Sequence, residues 1–539
     1  MIELNAKVRA LLNNKDIGFQ DNAERHILEW QKVSSIIDAM HQHQLSQKPK
    51  FDKKGKLLPR ARIQALLDPG SFFLELCTIA GFEMYGDKDG SQAGGGIIAG
   101  IGQVAGTQCM IVASNSALKG GTISPIGLKK SLRLQNIALK QKLPIITLAE
   151  SGGADLHHAS DIFVEGATSF ANQSRLSAAG IPQITIVHGN ATAGGAYQPA
   201  LSDYVILVRQ QSQMYLAGPP LVLAAIGETV DDETLGGSEL HASTTGSGDF
   251  LAENDLDAIT KARHIVELLN WHNVSIPTSY VEPRTPTEEV IGVVPHDPKK
   301  PYQVQEIITR LVDNSDALEF KQEYDQHTLC SFANIGGVTC GIIGNNGPIT
   351  AAGAAKAAHF IQLCEQTSRS LVFLHNTTGF MVGSESERNG VIKQGAKLIQ
   401  AVTNASVPKI SIVIGGSYGA GNYAMCGRGI DPDFIFAWPT SRTSVMGGDQ
   451  AGKVVKIVSE QSQKRKGIEP DQKMLDFLES STKAKFDKES TAAYGSARLW
   501  DDGIIEPTQT RAVLIYVLHL CRNALSLTLK KNQFGIPRH

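Results

Sequence analysis

The chain has 539 residues, 42% hydrophobic and 19% charged, and its 51 basic and 53 acidic residues leave a net charge of −2. Such a length allows roughly two to four domains with large cores, and the composition is that of a soluble globular protein. The charge balance argues against a dedicated nucleic-acid surface but leaves room for a local basic patch facing a phosphorylated cofactor.

From the N-terminus, MIELNAKVRALLNNKD lacks the basic-then-apolar pattern of a secretion signal. No apolar run approaches the ~20 residues that a membrane helix needs. Residues 1–45 read as helix, since Ile27, Leu28, Val33, Ile36, Ile37 and Met40 recur at helical spacing. The stretch QKPKFDKKGKLLPRARI is expected to be a basic loop with a solvated face, leading into a short helix. In GGGIIAGIGQVAGTQCMIVAS, the run Gly100-Ile101-Gly102-Gln103-Val104-Ala105 fits a loose dinucleotide fingerprint. Both flanks look like strands, however, so a turn between paired strands is expected instead. The seven cysteines are Cys77, Cys109, Cys330, Cys340, Cys364, Cys426 and Cys521, with no C-x-x-C pair among them. An odd number without that spacing argues against a disulfide framework and a Cys-based zinc site, and points to a reducing, cytoplasmic setting. The 52 glycines sit beside strand-like apolar runs, where they let a ligand or another backbone come close.

An internal repeat organises the chain. IPQITIVHGNATAGGAY (181–197) lies over VPKISIVIGGSYGAGNY (407–423) with Pro182 on Pro408, a shift of 226. The same shift brings Gly153 onto Gly379 and Lys130 onto Lys356 without a gap. The shared order is helix, strand, Gly-containing turn, helix, strand, Gly-rich turn, helix, which predicts α/β layers. The reading is therefore an N-terminal helical segment at 1–49 and two copies of one α/β domain at 50–285 and 286–539. The join falls in the Pro-rich stretch SIPTSYVEPRTPTEEVIGVVPHDPKKPY.

The repeat also bears on chemistry. Gly415-Gly416-Ser417-Tyr418-Gly419 fits the G-x-S-x-G elbow of a serine hydrolase. Ser417 maps onto Ala191, whereas Ala420-Gly421 maps onto Gly194-Gly195, so tiny residues recur and the hydroxyl does not. His519, Asp431, Asp433 and Asp449 follow Ser417, but their spacing does not support a triad. Backbone amides at Gly194-Gly195 and Ala420-Gly421 are expected to point outward as two oxyanion holes.

TAGGAYQPA, AGPPLVLAA, LGGSELH, NTTGFMVG, GGSYGAGNYAMCGRG and SVMGGDQA resemble the carboxyltransferase (β) subunit of biotin-dependent acyl-CoA carboxylases, from about residue 50 onward. Gly419 to Arg428 match the G-A-G-N-Y-x-M-C-G-R of methylcrotonyl- and geranyl-CoA carboxylases; the G-G-A-Y-D-V-M version of propionyl-CoA enzymes is absent. The resemblance implies two tandem crotonase (ClpP)-like β-β-α superhelix domains. It implies a transfer from carboxybiotin to an acyl-CoA in which both reactants pass through enolates, one in each hole. The Gly194 and Gly195 amides would hold the thioester oxygen, and those of Ala420 and Gly421 the biotin ureido oxygen. The biotin enolate can itself take the substrate proton. By the same resemblance, Lys119, Gly120 and Gly121, with Gly152, Gly153 and Ala154, would contact CoA. Phe170, Ala171, Gly218 and Pro219 would shape the acyl cleft, and Gly379, Phe380 and Gly419 would join the biotin side. His157 and His158 read as surface or interface residues, and Tyr197 and Tyr423 as packing residues.

Biotin would arrive on a biotin carboxylase/biotin carrier α subunit, because no A-M-K-M attachment site and no ATP-binding half is seen. Coenzyme A enters as part of the substrate, and no metal is expected. The family places each active site between the first half of one subunit and the second half of another. That implies a β6 core, α6β6 with its partner, in the cytoplasm or, in a eukaryote, the mitochondrial matrix; neither nucleic acid nor membrane is expected as a partner. Methylcrotonyl enzymes carry an aromatic before Asn-Gln in the segment matching TSFANQSRLSAAG, where this chain has Ala171. The added room, with ISPIGLKK and NNGPIT, leans the substrate towards geranyl-CoA. A propionyl- or other acyl-CoA carboxylase, a biotin-dependent decarboxylase subunit, a hydrolase or hydratase, and a non-catalytic scaffold remain as alternatives.

Overall fold

The computed structural model describes residues 17–271, 276–277, 279–295, 300 and 302–536. The first sixteen residues of the expected N-terminal helix, and parts of the Pro-rich join, lie outside the described residues. A helix covers Ile17–Ser46. The chain divides into two compact units, one of Ser35–Ser275, Ala497–Leu499 and Arg522–His539, the other of Met1–Ser34, Ile276–Ser496 and Trp500–Cys521.

Among its described residues, the first unit holds an eight-stranded sheet. Phe73–Glu75, Ile97–Val104 and Thr107–Ser114 run antiparallel. Ile145–Ser151, Gln183–Thr192, Tyr204–Val208 and Phe250–Ala252 continue in parallel, and Gln213–Tyr215 pairs with Gln183–Thr192. The second unit repeats the plan with seven strands: Ala317–Glu319, Thr328–Ile335 and Val338–Asn345 antiparallel, then Ser370–Thr377, Lys409–Tyr418 and Phe434–Ala437 parallel, with Arg442–Ser444 beside Lys409–Tyr418. The parallel strands IITLAES, QITIVHGNAT, SLVFLHNT and KISIVIGGSY are rich in β-branched residues and nearly continuous in apolar character. Such strands are stable when covered on both faces. Ile111, Ile146, Leu148, Ile184 and Ile186 pack with Ile259 and Ala262 of the helix Asp255–Leu268. Ile343, Leu371 and Phe373 pack with Phe360 and Ile361 of the helix Ala351–Gln366.

The repeat survives at the level of single hydrogen bonds. Both central ladders break register at the same place, so that Ser151 opposes Ala191 and Thr377 opposes Ser417. Ile123 N–H donates to the Gly153 carbonyl at 2.9 Å, and Ile349 N–H to that of Gly379 at 2.9 Å. Ser124 and Thr350 cap corresponding helices, accepting from Gly127 N at 3.1 Å and Gly353 N at 2.8 Å. The expected turn after Gly100–Val104 is present. Asp68 receives Ala105 N and Gly106 N at 2.8 Å each, as Asp313 receives Gly336 N at 2.8 Å and Gly337 N at 2.7 Å.

The basic stretch departs from the expectation. Lys48–Asp52 is helical, with Pro49 in the first turn, and a second helix spans Pro59–Leu66. Two of its cations are not solvated: Lys56 and Arg62 are drawn inward by Glu150 at 2.9 and 2.7 Å.

The paired lysines of the repeat are both fully buried. Lys130 Nζ donates to the carbonyls of Cys77 at 3.1 Å, Gly94 at 3.2 Å and Ile97 at 2.7 Å; Lys356 Nζ donates to that of Asp325 at 3.1 Å. Removing a buried donor leaves its acceptors unsatisfied, at ~1–3 kcal/mol each. Lys130→Ala is therefore expected to lose at least ~3 kcal/mol in denaturant unfolding of the first unit. A loss below ~1 kcal/mol would show that these carbonyls find other donors.

Candidate active site

Each unit places a tight elbow between its longest strand and the helix that follows. In the first, Thr192 ends the strand and Gly194–Ala200 forms the helix. Ala193 between them has φ +54° and ψ −125°. A residue with a Cβ rarely adopts that conformation, and holding it there costs on the order of 1–3 kcal/mol. In the second unit the register counterpart is Gly419, also at φ +54°. Glycine takes this angle without strain.

The elbow separates the next amides from the strand ladder. The first helix amide to find an acceptor is Ala196, on the Ala193 carbonyl at 3.1 Å. Gly194 N–H and Gly195 N–H come before any intrahelical bond can form, as Ala420 N–H and Gly421 N–H do in Gly419–Ala424. Gly194 and Ala420 are exposed. By contrast, the amides of the neighbouring Gly turn are occupied: Gly153 N–H donates to Ser151 Oγ at 3.1 Å and Gly152 N–H to the Gly120 carbonyl at 3.2 Å. Gly379 N–H donates to Thr377 Oγ1 at 3.1 Å, the same lock in the second copy.

The two glycine pairs differ in clearance. A Cβ on Gly421 would lie 2.9 Å from Gly379 Cα, whereas one on Gly195 would lie 3.8 Å from Ser151. Only glycine fits the former, while the latter leaves ordinary contact distance.

Around Gly194-Gly195, the loops carrying the expected CoA contacts are laced together. Ser151 Oγ donates to the Gly121 carbonyl at 3.0 Å, and Ala154 bridges to Ile123. Lys119 and Gly120 are exposed; Gly121 is buried, and a Cβ there would meet the Glu150 carbonyl. Phe170 lies 3.6 Å from where a Gly194 Cβ would be and makes an edge contact with the half-exposed Tyr197. Ala171 is half-buried beside it, and Gly218 and Pro219 open the helix Pro219–Ile226. His157 is exposed, and His158 stacks edgewise on Tyr85 at 5.0 Å. On the other side, Phe380 packs on Gly395, and a cavity of about 460 Å³ beside Gly419 and Ala420 is lined by Tyr423, Val445, Trp500 and Asp501.

Ser417 does not occupy the elbow. It is sealed from solvent, accepts from Asn422 Nδ2 at 2.8 Å and lies 2.9 Å from His375 Nδ1. Burial pushes His375 down to about 3, so the ring is neutral and its side chain is closed to any substrate. His519 instead faces the Gly336 carbonyl at 2.9 Å.

The sequence reading missed a buried ionic network behind the first elbow. Asp255 binds Arg62 Nε at 3.0 Å, Leu57 N at 2.8 Å, Gln211 Nε2 at 2.6 Å and His188 Nδ1 at 2.8 Å. Arg62 also reaches Glu150, the residue before Ser151. Burial pushes His188 down to about 4, so Asp255 faces a neutral ring. The two strand ends that shape the site are thereby tied to one cluster.

The Carboxyl transferase domain family matches residues 50–535. The chain belongs to that family. It is 56% identical to the β subunit of P. aeruginosa geranyl-CoA carboxylase, whose crystal structure superposes with a TM-score of 0.93 over 99% of this chain and 100% of that one. It is 46% identical to the probable mitochondrial methylcrotonoyl-CoA carboxylase β chain of Drosophila melanogaster, covering 90% of this chain and 87% of the relative. It is likewise 46% identical to the biotin-dependent 3-methylcrotonyl-coenzyme A carboxylase β1 subunit of Mycobacterium tuberculosis, covering 87% and 89%. The expected fold, two crotonase-like α/β domains, is that of these carboxyl transferase subunits.

Two outcomes follow from the site's geometry. Gly195→Ala should leave melting temperature within a degree or two, whereas Gly421→Ala should lower it by several degrees, because only the second Cβ meets backbone. Equal melting temperatures would contradict the clearance difference. Burial raises the Asp501 carboxyl to about 7, outweighing the Gly503 amide that donates to it at 3.0 Å. The folded chain then holds a proton that the unfolded chain has released, so stability falls as pH rises from about 4 to 7 and is level above. Asp501→Asn should therefore stabilise the protein at pH 8, with the gain vanishing near pH 4. A gain independent of pH would mean Asp501 is charged when folded.

Proposed function

We propose that this chain is the carboxyltransferase (β) component of a biotin-dependent acyl-CoA carboxylase acting on a 3-methyl-2-enoyl-CoA, with geranyl-CoA favoured. The observation that carries the reading is the pair of positive-φ elbows at Ala193 and Gly419, each followed by unclaimed amides. Fixed amides stabilise negative oxygen without reorganising, and one such donor is typically worth ~2.7–4 kcal/mol. The Gly194 and Gly195 amides hold the thioester oxygen as the methyl on C3 loses its proton, since that charge is conjugated through to the carbonyl. Lys119 at the exposed loop pairs with CoA phosphate, while Gly120, Gly121, Gly152, Gly153 and Ala154 form the wall on which the pantetheine chain lies.

The second elbow suits biotin. Ala420 is exposed, and Gly421 is buried flush on Gly379, so in this reading the ureido oxygen approaches from the Ala420 side. The adjoining cavity presents apolar walls from Tyr423, Val445 and Trp500, which fit a small bicyclic ring. Bound there on its α-subunit carrier, biotin supplies the carboxyl group to be transferred. Gly379, Phe380 and Gly419 position that side.

A second copy completes the assembly in this reading. No residue of the helix Pro219–Ile226 is buried, and Leu156, Phe163 and Ile226 are 86%, 83% and 72% exposed. Apolar surface of this kind marks an interface. The reading assigns a β6 core within α6β6. All seven cysteines are buried thiols, which supports a reducing compartment, the cytoplasm or a mitochondrial matrix.

Purified β chain with α partner, ATP, bicarbonate and a panel of acyl-CoAs tests the reading. Gly195→Val should lower carboxylation at least ~100-fold without dispersing the oligomer, and normal turnover would refute the first hole. Ser417→Ala should remain active. Ala171→Phe should lower kcat/KM for geranyl-CoA more than for methylcrotonyl-CoA, by ~10-fold or more; an equal effect on both would remove Ala171 from the acyl pocket.

A further inference from the structure

The two repeats differ in what lies beneath the elbow strand. In the first unit a Cβ on Gly189 would sit 2.6 Å from Glu150 Oε1, so the glycine makes room for that carboxylate. Lys56 Nζ at 2.9 Å, Arg62 NH1 at 2.7 Å and Ser116 Oγ at 2.8 Å hold it. Burial opposes its ionisation, but Arg62 and Lys56 outweigh burial and keep it below the usual carboxylate range.

The shift of 226 carries Glu150 onto Asn376 and Gly189 onto Gly415. A Cβ on Gly415 would sit 2.5 Å from Asn376 Oδ1, so the amide takes the place of the carboxylate. Here the charge is lost but cations remain. A cavity of about 460 Å³ opens beside Asn376, lined by Gly415, Gly416, Lys300, Tyr302 and Arg442. Its size falls in the ~300–1,000 Å³ range of small-molecule sites. Of the acids in the same wall, Glu29 pairs with Arg25 at 2.5 Å and Lys32 at 2.8 Å, while Asp487 shares Lys483, at 3.3 Å, with Asp449. Among the described residues Lys300 and Arg442 have no ion pair, and the Tyr302 hydroxyl has no hydrogen-bond partner.

We propose that this cavity in the second unit binds the carboxylate or phosphate group of a small anion beside Asn376, which supplies from outside the negative charge that Glu150 supplies in the first unit. Lys300 and Arg442 supply the charge, and Tyr302 and Asn376 supply hydrogen bonds. Gly415 and Gly416, the half of the G-x-S-x-G run that the elbow does not use, line the cavity and make room for the Asn376 amide and the Tyr418 ring.

The test is calorimetric titration of the full-length chain with inorganic phosphate and, separately, malonate. Saturable binding of one anion per chain is expected, and the better ligand tells phosphate from carboxylate. Arg442→Ala and Lys300→Ala should each weaken it at least tenfold. Asn376→Glu, which restores the internal carboxylate, should abolish binding while keeping or raising the melting temperature. Gly195→Val should bind the anion normally, which separates this site from the proposed transfer chemistry. No saturable binding of either anion up to ~10 mM, or affinity unchanged in both cation variants, would overturn the proposal.

Discussion

Everything at the site depends on one backbone torsion. A strand entering a helix normally hands its last amides to local acceptors; here a residue at φ +54° breaks the run, and the next two amides precede any intrahelical bond. The second unit meets this demand with Gly419. The first meets it with Ala193, a residue that must be forced into the angle. Strain of that kind persists only where surrounding structure over-determines it. The surroundings do so here: the Ala193 amide is anchored on the Tyr215 carbonyl at 3.1 Å, and Ala196 closes back on Ala193.

The G-x-S-x-G run illustrates how the same elbow is used without a nucleophile. In a hydrolase the strained position carries the reactive side chain. In this chain that position is alanine or glycine, and the serine sits two residues earlier, hydrogen-bonded inside the wall. The elbow position therefore carries no side-chain nucleophile in either unit.

Much of this was legible in the sequence, because duplication leaves a trace that single motifs do not. The shift of 226 located both elbows, both Gly turns and both buried lysines, and at the Gly turns the same hydrogen bonds recur in register. The torsion at Ala193 was not legible, because alanine does not announce a positive φ as glycine does. Nor was the inward turn of Lys56 and Arg62. Their partner Glu150 lies 94 and 88 residues away, and local charge pattern carries no information on such distant acids. The same blindness hid the His188–Asp255 pair.

That hidden cluster explains how two copies of one plan can be kept rigid by different means. The first unit ties both strand ends to an ion network in which Glu150 and Asp255 share Arg62. A network of this kind resists loss of any single member, since the remainder would be a buried unpaired charge. The second unit has Asn376 at the equivalent of Glu150 and instead presses glycine on glycine, Gly421 against Gly379. Charge fixes one elbow and steric contact the other. The first therefore leaves ordinary contact distance beside Gly195, where an added Cβ would lie 3.8 Å from Ser151, while the second is closed down, with backbone 2.9 Å from a Cβ on Gly421.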